Sequence, residues 1–302
     1  LLSVQINNRD IGNEYPPYIV AEIGQNHNGS VSLALQMIDY AWQAGANAVK
    51  FQKRTVELCV PRHMWNEKRE TPWGQMSYID YRRKLEFGKE DYDIINSFCH
   101  QRGIPWFVSV WDEESVTFME RYNLMAYKIG SPSVTDISLI KAVEATERPF
   151  IISTGMSTLD EIEQVMLQLN DNTLERLILC HCTSIYPCPL DRLNLNVITT
   201  LKERWPVVLG YSGHERGTEF AGVAVALGAR YLERHFTLDR YGWGSDQAAS
   251  IEPWQMRNYV RSAVETWSAL GDGHKVVYSE EQAKMSTLRR TLFTEVSNAS
   301  SQ

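Results

Sequence analysis

The sequence predicts a (β/α)8 TIM barrel of the α/β class, on three observations: eight short β-rich runs, a helix-period pattern in the gaps between them, and a length of 302 residues. Alternation of strand and helix patterns is the signature of βα units around a parallel sheet. Closed barrels of this kind commonly occupy about 250 residues as one domain. The runs are Tyr18–Gly24, Ala48–Gln52, Pro105–Val110, Ala126–Ser131, Pro149–Thr154, Leu177–Cys182, Val207–Ser212 and Tyr231–Thr237.

Taken in order, residues 1–17 are too short for a domain and are expected to plug the amino end of the barrel. The first strand leads into a helix over Ser32–Ala44, where Leu33, Leu35, Met37, Ile38 and Ala41 form a 3.6-period stripe that Gly45 ends. After the second strand, residues 53–88 make a long connection rich in aromatics and charges. A loop of that size in a compact domain is usually a lid or a substrate wall, and an extra helix over the barrel rim is the plainer alternative. Trp65, Trp73, Tyr78 and Tyr81 suit either packing or a sugar platform.

Further helices are expected over Lys89–Gln101, Glu113–Arg121, Asp136–Ala145, Leu159–Leu169, Leu193–Arg204, Thr218–Leu227 and Glu252–Leu270. Ser157-Thr158 with Glu161 after it is a start signal, and so is Thr135 or Asp136. Gly103 and Gly228 fall where helices should stop. The barrel domain is therefore assigned to residues 18–270 and an arm or tail to 271–302, with no element assigned after Leu292.

Composition excludes several classes. With 43% hydrophobic and 22% charged residues the chain is globular, and a net charge of −7 argues against a nucleic-acid surface, which needs clustered Lys and Arg. No stretch approaches the roughly 20 apolar residues that span a bilayer, and the N-terminus lacks a secretory pattern, so a cytoplasmic protein without membrane partners is expected. Five cysteines without framework spacing fit free thiols in a reducing compartment. Cys180 and Cys182 share one face of a strand, as core filler or, less simply, as a metal pair.

Barrel enzymes work at the carboxyl ends of their strands. In chain order those ends carry Glu22, then Lys50 and Gln52, Ser109, Lys128 and Ser131, Ser153 and Thr154, then His181, Thr183, Ser184 and Tyr186, and finally Ser212, His214 and His235. Two lysines among serines and strand-end amides make an anion pocket, with phosphate as the economical ligand. His214 and His235, with Asp246 on the loop beyond, suit a divalent metal that stays partly open and polarises a carbonyl. Mixed nitrogen and oxygen ligation points to Mn, with Mg or Co as alternatives. The plain structural alternatives are a satisfied polar interior for each histidine, and an ion pair with Glu22 for Lys50 or Lys128.

Several motifs go further: AEIGQNHNGS, AGANAVKFQ, YKIGS, ISTGMST, HCTSIYP, GYSGH, and ERHFTLD followed by GSD and EP. Across residues 18–270 the chain resembles the sialic acid synthase family, barrel enzymes that condense phosphoenolpyruvate with an N-acetylated amino sugar such as N-acetylmannosamine. The resemblance implies that Lys50, Lys128, Ser131, Ser153 and Ser212 hold phosphoenolpyruvate with Ser184 on the same rim, that His214 and His235 bind Mn, and that Glu22, Tyr186 and Asp246 contact the acceptor. It also implies a homo-oligomer, a dimer by expectation.

Three features depart from the family pattern. Pro132-Ser133 stands where Gly and an acid are common, Ser184 stands where Asn is common, and no antifreeze-like C-terminal domain is expected in this sequence. Glu22, or a water on the metal, then becomes the candidate proton shuttle. Alternatives within the enzyme class are another sugar or sugar-phosphate synthase, or a Schiff-base aldolase using Lys128. Outside it stands a catalytically silent sugar-phosphate-binding barrel.

Overall fold

Each predicted run becomes a strand in the computed structural model, which describes residues 2–290. Strands β1 (Ser3–Ile6) and β2 (Arg9–Gly12) form an antiparallel hairpin. The barrel begins with β3 (Tyr18–Gly24) and β4 (Ala48–Lys53), and a short second hairpin, β5 (Lys68–Arg69) and β6 (Met76–Ser77), lies in the long connection. It continues with β7 (Trp106–Val110), β8 (Tyr127–Ile129), β9 (Phe150–Ser153), β10 (Leu177–Cys182), β11 (Val208–Gly213) and β12 (Tyr231–His235). These pair in parallel and close in the order β10-β11-β12-β3-β4-β7-β8-β9.

Helices are α1 (Val31–Gln43), α2 (Val56–Cys59), α3 (Tyr78–Leu85), α4 (Lys89–Arg102), α5 (Glu113–Met119), α6 (Ile137–Glu144), α7 (Leu159–Met166), α8 (Asp171–Leu174), α9 (Val197–Arg204), α10 (Phe220–Leu227), α11 (Pro253–Leu270) and α12 (Ser279–Leu288). The Thr158–Glu161 capping box opens α7, and Asp136 caps α6. The helix expected from Leu193 starts four residues later, at Val197. Its intended carbonyls are already taken: His181 Nε2 lies 2.7 Å from the Leu193 oxygen, and the Thr183 hydroxyl donates to Arg192 O at 3.1 Å. The long connection holds α2, the β5–β6 hairpin and α3, packed on a small core of Val56, Val60 and Ile79 with Trp65 and Tyr78 against it. It is thus a structured wall on the rim.

Among the described residues, those up to 269 form one compact unit and those from 270 onward a second, which contains α12. The tail expected over 271–302 lies partly outside the described residues. No described helix is long and apolar enough to cross a membrane.

Side chains alternate across the barrel wall with period two. Outward residues such as Ile19, Ala21, Val49, Phe51, Val108, Leu179 and Leu232 build the larger core under the helices. Inward residues at the strand starts, including Tyr18, Val20, Ala48, Phe107, Ile151, Val208 and Tyr231, form a second core that Val4, Ile6 and Ile11 of the hairpin seal from below. One or two steps further along the same inward face the side chains turn polar: Glu22, Lys50, Ser109, Lys128, Ser153, Cys182, Ser212, Glu233 and His235. The same periodicity thus fills the base and furnishes the mouth.

Gly210 packs closely against the inner core. A Cβ there would stand 2.4 Å from Cys180 Sγ and 2.9 Å from the Tyr231 carbonyl. Gly210→Ala is therefore expected to lower stability by about 1–3 kcal/mol through overpacking. Urea denaturation checks this; an unchanged midpoint would show that the interior yields more than its packing implies.

Candidate active site

The inward polar residues line a bowl at the carboxyl ends of the strands. Its floor is a buried charge network. Lys50 Nζ lies 2.6 Å from Glu22 Oε2 and 3.5 Å from Glu233 Oε1, and Lys128 Nζ lies 3.1 Å from Glu233 Oε2. Tyr231 OH donates to Glu233 Oε2 at 2.6 Å and Ser212 Oγ to Oε1 at 3.4 Å. Lys50 does pair with Glu22, whereas Lys128 pairs with Glu233.

The two carboxyls are driven apart. Burial opposes charge on Glu233, but Lys128 and Lys50 outweigh it and hold the group well below the usual carboxylate range. Burial raises Glu22 to about 7, and repulsion from Glu233 adds to this against the pull of Lys50. Lys128 is held above its ordinary value by Glu233 even though burial acts against it, so it is an ammonium. Two buried carboxyls with opposite shifts can divide the roles of fixed charge and proton carrier.

The histidines occupy one side of the wall. His214 and His235 have ring centroids 5.3 Å apart, and Tyr186 covers His214 at 4.0 Å. His214 Nδ1 lies 2.9 Å from the Thr183 carbonyl and 3.7 Å from Cys182 Sγ. Burial opposes its protonation, yet Cys182 and Thr183 together raise it. Cys182 is lowered in turn, because His214, Ser131 and Lys128 outweigh the effect of burial. Burial lowers His235 to about 4, against the attraction of Asp246.

His235 Nδ1 is buried without a hydrogen-bond partner, 3.8 Å from Asp246 Oδ2. A neutral imidazole with an orphaned nitrogen beside a second imidazole is the kind of pair that could take a borderline divalent ion. Among the described residues no three His, Cys, Asp or Glu groups form a ready-made metal cluster. Two histidines would therefore leave the remaining positions to water or substrate.

Hydroxyls complete the opposite wall. Ser131 Oγ accepts from Gly155 N at 3.1 Å, and Ser153 Oγ is buried without a partner. Gly155 is needed for close approach, since a Cβ there would meet Ser184 Oγ at 2.3 Å and Ser131 Oγ at 2.7 Å. The structure thus gathers Glu22, Lys50, Lys128, Ser131, Ser153, Tyr186, Ser212, His214 and His235 around one bowl. Ser184 stands just behind Ser131, and Asp246 behind His235.

Two histidines fall elsewhere. His181 points away from the bowl to Leu193 and Tyr211, and His27 stacks on Phe87 at 3.9 Å, where burial lowers it to about 3. Glu233 is the residue that the sequence reading missed. The alternation that turns His235 inward also turns Glu233 inward, so the signal was present. Cys182, read as core filler, touches His214 instead.

The sequence matches the NeuB family over residues 37–275. The chain belongs to the NeuB family. It is accordingly an enzyme, a transferase of the N-acetylneuraminate synthase-like type. It is 35% identical over 294 residues to the N-acetylneuraminate-9-phosphate synthase of Mus musculus, covering 95% of this chain and 80% of that protein. It is 33% identical to the N,N'-diacetyllegionaminic acid synthase of Campylobacter jejuni, covering 91% and 83%. Among solved structures, an N-acetylneuraminic acid synthetase from Leptospira borgpetersenii, in complex with citrate, superposes with a TM-score of 0.84 at 30% identity, covering 95% of this chain and 98% of that one.

In this NeuB chain Lys50 is the cation shared by both buried carboxyls, which yields a pH-dependent expectation. Glu22 is raised in the fold, so its contribution to stability is fullest below its unfolded value and is lost as pH rises through about 7. Removing Lys50 raises Glu22 further and leaves Glu233 less compensated. Lys50→Met should therefore cost about 3–5 kcal/mol at pH 8, and the deficit should shrink at pH 6 as Glu22 takes up a proton. Denaturant titrations at the two pH values check the sign; a deficit that grows on acidification would contradict it.

Proposed function

We propose that the chain is a phosphoenolpyruvate-dependent nonulosonic acid synthase that condenses phosphoenolpyruvate with an N-acetylated amino-sugar aldehyde, N-acetylmannosamine or a relative, releasing phosphate. The observation that carries this reading is the meeting of two kinds of site in one bowl. Lys50 and Lys128, with Ser131, Ser153 and Ser212, offer cations and hydroxyls to an anion, and the His214–His235 pair lines the same bowl. Ser153 Oγ and His235 Nδ1 are each buried without a partner, as groups awaiting ligands.

His214 and His235, with Asp246 behind, would hold a divalent metal, Mn first and Mg or Co as alternatives. When bound, such an ion supplies Lewis acidity to the acceptor carbonyl. The chain's own residues do the rest. Lys50 and Lys128 neutralise the phosphate and carboxylate of phosphoenolpyruvate, and the serines fix its orientation.

C3 of the enol then attacks the aldehyde carbon, and the electron pair of the C2–C3 double bond forms the new C–C bond. Cationic C2 develops beside Glu233, which the lysines keep ionised, so a fixed negative charge stands where positive charge appears. Water adds at C2 and gives one proton to the Glu22 carboxylate left after protonation of the acceptor oxygen; the C2–O bond to phosphate then breaks, the C2 hydroxyl becomes the ketone, and its proton leaves with the phosphate. The acceptor oxygen gains a proton from Glu22, whose value of about 7 suits that role. Lys128 acts by charge: held as an ammonium against Glu233, it is a poor imine-forming amine, which disfavours the aldolase alternative.

Two measurements test this reading. With phosphoenolpyruvate labelled in the bridging oxygen, label is expected in released phosphate, and consumption is expected to need both divalent metal and aldehyde. Label in the sugar product would mean P–O cleavage and would end the assignment. His214→Ala and His235→Ala should abolish metal-dependent turnover with the fold intact.

The second measurement is the pH profile. If protonated Glu22 delivers the proton, kcat/KM should fall as pH rises through about 7. That limb should be missing in Glu22→Gln, whose residual rate should be low at every pH. A limb that persists in the variant would assign the proton to another group.

A further inference from the structure

Tyr231 and Glu233 lie two residues apart on β12, so both side chains point into the barrel. Two strand steps, roughly 6.5 Å, are a span that a phenol can bridge along the strand. The Tyr231 hydroxyl accordingly donates to Glu233 Oε2 at 2.6 Å, the same oxygen that Lys128 Nζ meets at 3.1 Å. Lys50 Nζ and Ser212 Oγ meet the other oxygen, at 3.5 and 3.4 Å. Of these contacts the Tyr231 bond is the shortest.

The ring that carries this hydroxyl is held on several sides. Tyr231 is fully buried, stacks on Tyr18 with centroids 6.4 Å apart, and has the Lys128 ammonium 5.6 Å from its centre. Gly210 leaves room for it, since a Cβ there would stand 3.1 Å from Tyr231 Cδ1. Packing alone does not call for a phenol at this depth. Tyr18, in the same apolar layer, buries its hydroxyl without a partner among the described residues, whereas the Tyr231 hydroxyl is directed to the charged floor of the bowl.

An arriving anion treats these partners of Glu233 differently. In the reaction proposed above, Lys50, Lys128 and Ser212 turn to the phosphate and carboxylate of phosphoenolpyruvate, and each contact they make there draws them from Glu233. Tyr231 stays, because its hydroxyl approaches from the strand start, below the bowl, and its ring is packed in place. A buried carboxylate that gives up its other donors must keep one or move.

We propose that Tyr231 is a positioning residue, whose hydroxyl holds the Glu233 carboxylate beside C2 while the bound substrate occupies the lysines and Ser212. The proposal rests on the function proposed above and adds the residue that keeps its negative charge in place. Tyr231 itself touches no substrate and keeps its proton throughout. Misplacement by about 1 Å at a reacting centre can cost on the order of 100-fold in rate. A hydroxyl outside the reach of substrate can therefore govern kcat.

The test is Tyr231→Phe in the full chain, which keeps the ring and its stack and removes one bond. With phosphoenolpyruvate, metal and N-acetylmannosamine, we expect kcat to fall roughly 10- to 100-fold, with KM for phosphoenolpyruvate near that of the wild type. A role in packing alone leaves both constants unchanged, and that result would overturn the proposal. So would a raised KM with kcat intact, which would make Tyr231 a support for binding.

If the wild-type chain consumes no phosphoenolpyruvate, it is the synthase reading that fails, and crystals soaked with inorganic phosphate then decide the role of Tyr231. In the wild type the Tyr231–Glu233 bond should persist while Lys128 moves to the anion, and in Tyr231→Phe the Glu233 carboxylate should be displaced. The wild-type comparison stands by itself if the variant does not fold. A Tyr231–Glu233 bond broken in the wild type, a Glu233 unmoved in the variant, or a Lys128 that stays on Glu233 would overturn the proposal. An empty bowl would overturn it too, because nothing then draws the lysines away.

Discussion

The buried quartet of Glu22, Lys50, Lys128 and Glu233 is the constraint on which the rest of the structure depends. Four ionisable groups, each at most 5% exposed, stand at the centre of the barrel. Removing such charges from water costs more than their mutual attraction usually returns, so the network is a poor device for stability. The scaffold supports it with two apolar layers, one under the helices and one closed by the N-terminal hairpin. That arrangement is more readily explained by what the bowl does than by what it adds to folding. An entering anion finds both lysines already placed, and it competes with carboxyls whose protonation differs.

Precision in the histidine wall comes from a second buried pair behind it. Arg234, fully buried, reaches Glu215 Oε1 at 2.6 Å with Nη1, also donates to the Gly217 carbonyl at 3.0 Å, and binds the Glu215 carbonyl through Nη2. Tyr211 OH adds a bond to Glu215 at 2.8 Å. Arg234 precedes His235 and Glu215 follows His214, so this clamp ties together the two strand ends that bear the histidines. Backbone bonds lock the same points: Cys188 N donates to His214 O at 2.9 Å, Ile251 N to His235 O at 2.8 Å, and Phe236 N to Glu22 O at 2.7 Å. Rigid elements with a hydrogen-bonded surround are what hold a pair of side chains at fixed separation.

Much of this was legible in the sequence because the barrel repeats two simple periods. Strand positions followed from β-branched runs, and the inward polar set followed from asking which residues end each run. The same reasoning stopped short at Glu233, which lies one inward step before His235 and is hidden in a run dominated by larger neighbours. It also placed His181 at the mouth, although parity turns that ring outward to the Leu193 carbonyl. That bond in turn delayed α9. Neither event is visible to a one-dimensional pattern, because each joins residues about a dozen apart through a side chain. The long connection was read as a lid, a substrate wall or an extra rim helix, and it does contain a helix, α3, but the orphaned Nη2 of Arg82 depends on how α3 packs, which no spacing encodes.

The substitution of Pro132-Ser133 for the family's Gly and acid is best understood through charge accounting. Pro132 lines the bowl beside Ser131, and the short turn over Ser131–Ser133 brings no carboxylate to that wall. With Glu233 already ionised, another fixed negative charge would add to the repulsion that, after burial, raises Glu22, and would oppose an entering anion. Without it, Glu22 remains the carboxyl in the bowl that can carry a proton at neutral pH. In the reaction proposed above, that would leave proton transfer to Glu22 and the anion side of the bowl to cations and hydroxyls.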